Sequence, residues 1–192
     1  MIPENPSVCV FCGSRFGDSP AYRQAAHELG ELLAAEGWRL IYGAGDVGMM
    51  GEVARAAQAG GAETFGVIPV HLMAREVGKR DLSQFVVTEN MHERKKVMFM
   101  NADAIVTLPG GAGSLDEFFE VMTWRQLNLH HKPIYLLNIN GYWDKLTELI
   151  EHMIDHGFAD RPFRDYMTVL DGVPALAAAL RRDFSWRQPD SE

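Results

Sequence analysis

Three carboxylates stand directly after a glycine-rich turn in the stretch IVTLPGGAGSLDEFFEVMTW, residues 105–124. The turn is LPGGAGS, and Asp116, Glu117 and Glu120 follow it in a segment with helical spacing. A glycine turn that leads from a strand into a helix presents backbone N–H groups that bind anions. Because a carboxylate beside a bound phosphate would repel it, we expect the acid to act on another part of the ligand.

A ribose 5-phosphate unit fits this arrangement, since its phosphate and its C1′ atom lie well apart. Cleavage of an N-glycosidic bond develops positive charge on C1′ and the ring oxygen, which a carboxylate stabilises, or the carboxylate activates the attacking water. Ser114 and Glu117 also fit a capping box, in which Glu117 only holds the helix start. Asp116 has the similar alternative of an acid placed in a first helical turn.

Two further glycine turns end predicted strands, CGSR at 12–15 and YGAGDVGMMG at 42–51, and Ser14 and Gly45 are their candidate ligand contacts. Turns at the carboxyl ends of parallel strands share one edge of the sheet, which predicts a common phosphate-binding crevice. No Walker A motif occurs. GAGDVG matches G-x-G-x-x-G, but the next strand, TFGVIPV, lacks the terminal acid of a dinucleotide site, which disfavours NAD.

The segment NMHERKKVMFMNAD, residues 90–103, carries a small basic cluster of Arg94, Lys95 and Lys96. Arg94 falls at the beginning of a predicted helix, where the helix dipole disfavours a cation. We therefore expect Arg94 to meet a carboxylate or phosphate in the crevice. Lys96 is interpreted as part of a solvated helix face.

Apolar runs alternate with segments of helical period along the whole chain, which predicts an α/β fold with a doubly wound parallel sheet of Rossmann-like type and helices on both faces. A single domain is expected over residues 1–192, with a loose tail at about 185–192.

The 192 residues carry a formal net charge of −8, which disfavours binding to nucleic acid or acidic membranes. No apolar run reaches the length of a membrane span, and no signal peptide is evident, so we expect a cytoplasmic protein without a membrane partner. Cys9 and Cys12 have redox-like C-x-x-C spacing but lie in a predicted strand, where they would point to opposite faces. The histidines show no metal-site spacing, so neither a metal nor a cofactor is expected.

LPGGAGSLDE and MHERKKVM together resemble the P-G-G-x-G-T-x-x-E and M-x-x-R-K signatures of the LOG family, the cytokinin riboside 5′-monophosphate phosphoribohydrolases. The resemblance extends over CVFCGS, YGAGDVGMMG, GVIP and MTWRQLNLHHKPIYLLNINGYWDKL, and so covers most of the chain. It implies a Rossmann-like homodimer that hydrolyses the base–ribose bond of a small nucleotide, either a cytokinin monophosphate or AMP. The bacterial members have often been labelled possible lysine decarboxylases.

The resemblance also implies roles for individual residues. Arg94 and Glu117 correspond to the catalytic pair. The implied substrate contacts are Glu76, Arg94, Lys95, Gly110, Gly111, Ala112, Gly113, Ser114, Leu115, Asp116, Glu117 and Thr123. Thr123 has the alternative of bonding its own helix backbone. Four residues depart from the usual pattern and bear on substrate preference: Arg15, Ala44, Ala112 and Ser114.

Two other functions compete with the hydrolase. A non-catalytic nucleotide-binding module would share the fold, but retention of Arg94 and Glu117 favours the enzyme. A pyridoxal phosphate decarboxylase needs a Schiff-base lysine, and no lysine falls in a strand-end loop. An apolar stripe of Phe118, Val121, Met122 and Leu129 fits a core face or a dimer face.

Overall fold

The computed structural model describes residues 5–73 and 81–185. The strands of this part are β1 (Ser7–Phe11), β2 (Arg39–Tyr42), β3 (Thr64–Pro69), β4 (Gln84–Thr88), β5 (Ala104–Thr107), β6 (Ile134–Leu137) and β7 (Thr168–Leu170). Its α-helices are α1 (Pro20–Ala35), α2 (Gly48–Ala59), α3 (Met91–Asn101), α4 (Ala112–Gln126), α5 (Asp144–Asp155) and α6 (Val173–Asp183). Each of these corresponds to a segment predicted from the apolar pattern. The predicted tail, apart from Ser185, lies outside the described residues.

The strands form one parallel sheet in the order β4-β3-β2-β1-β5-β6-β7. The chain moves outward from β1 to β4, returns to pair β5 with β1, and then moves outward again on the other side. The strand order therefore reverses between β1 and β5. In open α/β sheets, ligands bind at the carboxyl ends of the strands beside such a reversal.

Helices cover both faces of the sheet, which confirms the doubly wound prediction. Apolar side chains of α1, α2 and α6 form one core with Val8 and Val10. Those of α3, α4 and α5 form a second core on the opposite face, with Cys9 and Phe11. Successive residues of β1 thus alternate between two buried layers, as a strand covered on both faces requires.

The two cysteines belong to opposite cores and are buried as thiols. Burial, reinforced by the negative charge of Glu117, raises the pKa of the Cys9 thiol well above its ordinary value. A redox pair needs a thiolate of lowered pKa close to its partner thiol. The structural interpretation of the C-x-x-C spacing is therefore confirmed.

The apolar stripe of α4 divides between core and surface. Phe118, Val121 and Met122 are buried in the second core, whereas Leu129, beyond the helix end, is 66% exposed. The core interpretation is confirmed for the first three residues. Among the described residues, no helix combines the length and the apolar character needed to cross a bilayer.

Candidate active site

The glycine turns after β1, β2 and β5 contact one another at the carboxyl edge of the sheet. The amide of Gly13 donates to the Pro109 carbonyl at 3.1 Å, and the amide of Met49 donates to the Gly13 carbonyl at 3.1 Å. Gly48 has φ +54°, and a Cβ there would collide with the backbone of Ser14 and Arg15. Glycine at this position lets the first two turns pack closely, and the shared crevice predicted from the sequence is present.

Ala44 carries backbone strain in the second turn. Its φ is +56°, in the left-handed region that favours glycine, and the residue is completely buried. The LOG-like pattern commonly has glycine at this position. Ala44 therefore adopts the backbone conformation that glycine favours, at a cost in strain, and the turn is preserved.

Helix α4 begins three residues earlier than the capping box requires, so the capping-box alternative is wrong. Gly111 is the N-cap, with extended backbone and no side-chain hydrogen bond, and Ser114 is the third helical residue. The Ser114 side chain lies against Gly110 instead: a Cβ added to Gly110 would come within 2.7 Å of the Ser114 Cβ. The first-turn N–H groups, which have no acceptor within a helix, are therefore not capped by Ser114. Glu117 is the sixth residue of α4, beyond the third position at which a capping box places its acid.

A cavity of about 680 Å³ opens beside the strand reversal. Residues from all three turns and from α3 and α4 line it. Seven of the predicted site residues are among them: Ser14, Arg94, Gly111, Ala112, Gly113, Ser114 and Glu117. The glycine turns and the first turn of α4 form one side of this cavity, where backbone N–H groups and the helix dipole favour an anion.

Arg94 is fixed by one backbone carbonyl of β3 and one of the turn after β2. Its Nε donates to the Val67 carbonyl at 3.1 Å, and its Nη2 donates to the Gly43 carbonyl at 2.8 Å. The residue is only 4% exposed. These bonds hold a permanent positive charge in the cavity wall despite its position in the first turns of α3.

Glu117 brings a carboxylate to the same cavity from α4. Its negative charge also acts on β1, where it contributes to the raised pKa of the Cys9 thiol. Asp116 precedes it but lines a different surface. A single α4 carboxylate therefore faces the cavity, together with the Arg94 guanidinium.

An apolar wall of methionines was not predicted as part of the site. Met50, Met91 and Met98 line the cavity. Methionine is adaptable and makes favourable sulfur–aromatic contacts, so the wall suits a flat heteroaromatic base. The sequence signal was present, since Met91, Arg94 and Met98 have the i, i+3, i+7 spacing of one helix face. Arg15, which was expected to bear on substrate preference, also lines the cavity, and the other unpredicted lining residues are Val10, Cys12, Gly13, Gly43, Val47, His71 and Leu72.

Some predicted contacts lie outside the main cavity lining. Gly110 borders an adjoining cavity of about 590 Å³, and its carbonyl accepts a hydrogen bond from the Tyr142 hydroxyl at 2.6 Å. Gly45 is buried in the second turn. Glu76 lies outside the described residues.

The remaining predicted contacts lie on another side of α4. Leu115, Asp116 and Thr123 border a groove shared with Phe119, Glu120 and Trp124, which we call the α4 groove. The Thr123 hydroxyl donates to the Phe119 carbonyl of its own helix at 2.7 Å. Lys95 extends from α3 to Asp116 and Glu120.

Comparison with known proteins identifies the relatives of this chain. Residues 50–180 match a family model described as possible lysine decarboxylase. A probable cytokinin riboside 5′-monophosphate phosphoribohydrolase, LOG4 of Oryza sativa subsp. japonica, is 40% identical over 174 residues, covering 91% of this chain and 76% of the relative. The cytokinin riboside 5′-monophosphate phosphoribohydrolase LOG7 of Arabidopsis thaliana is 45% identical over 151 residues, covering 79% of this chain and 70% of the relative.

Among solved structures, that of TM1055 aligns with a TM-score of 0.69 and 26% sequence identity, and the match covers 92% of this chain and 99% of that one. Sequence motifs, fold and relatives agree. The chain therefore belongs to the LOG family.

Proposed function

We propose that the protein hydrolyses the N-glycosidic bond of purine nucleoside 5′-monophosphates, including AMP and N6-prenylated AMP, and releases the free base and ribose 5-phosphate. The observation that carries the proposal is one cavity at the strand reversal that joins a glycine-lined anion edge to Arg94 and Glu117. The names of the LOG relatives support the reaction class.

The proposed mechanism assigns a separate task to each side of the cavity. The turn Gly110–Ser114 and Ser14 hold the 5′-phosphate, and the methionine wall accommodates the base. Glu117 faces C1′, where it stabilises the positive charge of the transition state and activates water. Arg94 orients the nucleotide and balances negative charge with its guanidinium group.

Release of base from phosphorylated substrates tests the proposal. Incubation with AMP and with isopentenyladenosine 5′-monophosphate is expected to yield free base on chromatography, whereas adenosine yields none, because it lacks the phosphate that the turns bind. The faster monophosphate identifies the preferred base. Binding of all monophosphates without base release would contradict hydrolysis and establish the alternative, a nucleotide-binding module.

The placement of the lysines does not favour the decarboxylase named by the family model. Lys95 pairs with acids, Lys132 donates to the Phe99 and Ala102 carbonyls, Lys145 pairs with Glu148, and Lys96 is exposed. None of these four described lysines lines the main cavity. A Schiff base in that cavity has no candidate among them; Lys79 lies outside the described residues.

A homodimer that associates through the α4 groove is proposed as the working assembly. The groove contains Phe119 and Trp124, and Leu127 and Leu129 beyond it are 62% and 66% exposed. Exposed apolar side chains beside a groove are a feature of protein–protein interfaces. Light scattering is expected to give twice the chain mass of 21.5 kDa, and a monomer at micromolar concentration would contradict it. Cytoplasmic location stays a prediction.

A further inference from the structure

Lys95 joins α3 to α4 through two carboxylates. Its Nζ lies 2.9 Å from Asp116 Oδ2 and 3.2 Å from Glu120 Oε2. The Lys95 side chain is 7% exposed, compared with 59% for Asp116 and 23% for Glu120. We call these three residues the Lys95 clamp. A lysine buried to this degree is normally paired, and here both partners come from the same helix.

The clamp lies one residue from each proposed catalytic side chain. Lys95 follows Arg94 on α3, and Asp116 precedes Glu117 on α4. Consecutive helical residues point about 100° apart. Arg94 and Glu117 therefore face the cavity, while their neighbours pair with each other between the helices. Any shift of α3 against α4 would move both catalytic groups.

The two carboxylates of the Lys95 clamp favour the charged form of Lys95. Burial lowers the pKa of the Lys95 ammonium, but its hydrogen bonds and attraction to Asp116 and Glu120 outweigh burial and raise that pKa above its ordinary value. Without Lys95, Asp116 and Glu120 would repel each other as an i, i+4 pair with Glu117 between them. The cation thus offsets repulsion on the helix that carries the catalytic acid.

A direct substrate contact does not account for these positions. The Lys95 ammonium donates a hydrogen bond to Asp116 Oδ2 at 2.9 Å and lies 3.2 Å from Glu120 Oε2. Two of its three N–H donors are thus directed at the two acids. Neither Lys95 nor Asp116 lines the main cavity. We propose that Lys95 is a positioning residue, which, through Asp116 and Glu120, fixes the separation of Arg94 and Glu117. This inference rests on the proposed hydrolase function.

The test is a mutant cycle read as kcat and KM for AMP. Lys95→Met, the pair Asp116→Asn/Glu120→Gln, and the triple variant are each expected to lower kcat by about 10- to 100-fold, as misplaced catalytic groups do. KM is expected to stay within about threefold, and the triple variant is expected to lose no more than Lys95→Met or the double variant, because all three remove the same interaction.

Three further variants control the cycle. Lys96→Met removes the neighbouring exposed lysine and is expected to behave as wild type. Lys95→Arg keeps a cation between the acids and is expected to retain most of kcat. Asp116→Asn alone changes a side chain that is 59% exposed and lines the α4 groove, so it is assayed in protein that light scattering shows to have the wild-type mass, and it too is expected to lower kcat.

A raised KM with unchanged kcat in Lys95→Met would overturn the proposal in favour of a substrate contact. Losses that multiply in the triple variant, or an Asp116→Asn protein with wild-type kcat, would also overturn it. If wild type releases no base, the hydrolase proposal fails first. The same cycle read by thermal unfolding would then show whether the clamp couples α3 to α4.

Discussion

Glu117→Gln is expected to lower kcat for base release by about 100-fold or more, which is the usual size of losing an acid–base or electrostatic group. Glutamine keeps the shape of the side chain but cannot carry the negative charge that stabilises an oxocarbenium-like transition state. Nucleotide binding should persist, since the glycine turns that hold the phosphate are unchanged. Single-turnover chromatography and calorimetric titration with AMP measure the two effects separately.

The structure removes the competing explanation that Glu117 serves only as a helix cap. Because Gly111 is the N-cap, Glu117→Gln should leave the thermal unfolding midpoint close to that of wild type. Glu148→Gln, on the exposed face of α5, is the matched surface control and should retain full activity. A Glu117→Gln enzyme with more than half of the wild-type kcat would refute the catalytic role.

The order of strands and helices could be predicted from the sequence because burial on both faces leaves a simple signal. A parallel strand such as β5, AIVT, is apolar at nearly every position, and the intervening helices show a separate period. Turn glycines then mark the carboxyl ends of β1, β2 and β5. Since parallel strands end at the same edge, the crevice follows from these local patterns without knowledge of the strand order.

Side-chain pairing between helices could not be predicted in the same way. Lys95 and Asp116 are 21 residues apart in sequence, and nothing local shows that they meet. The family resemblance implies that both contact the substrate, which stays a prediction, and it gave no sign that they pair with each other. The start of α4 was misjudged for a related reason, because a serine followed by a glutamate satisfies the capping pattern wherever the helix begins.

Removal of Arg94 is expected to be as damaging as loss of Glu117, and its position can be tested without changing the residue itself. A Cβ on Gly43 would fall on Arg94 Nη2 and lie 2.9 Å from Cζ, so Gly43→Ala forces the guanidinium away from the Gly43 carbonyl. Arg94→Ala should lower kcat/KM by about 100-fold, and Gly43→Ala by about 10- to 100-fold, since a displacement near 1 Å suffices for such losses.

A double variant shows whether Gly43→Ala acts through Arg94, because Gly43 itself also lines the cavity. If it does, Gly43→Ala combined with Arg94→Ala should be no slower than Arg94→Ala alone. Gly172→Ala is the control, since a Cβ there makes only an ordinary 3.7 Å contact with Pro174. Losses that multiply in the double variant would instead show that the alanine methyl obstructs the nucleotide directly. A Gly43→Ala enzyme with wild-type kinetics would show that catalysis tolerates a displaced guanidinium, and would remove the strand-end anchoring of Arg94 from the mechanism.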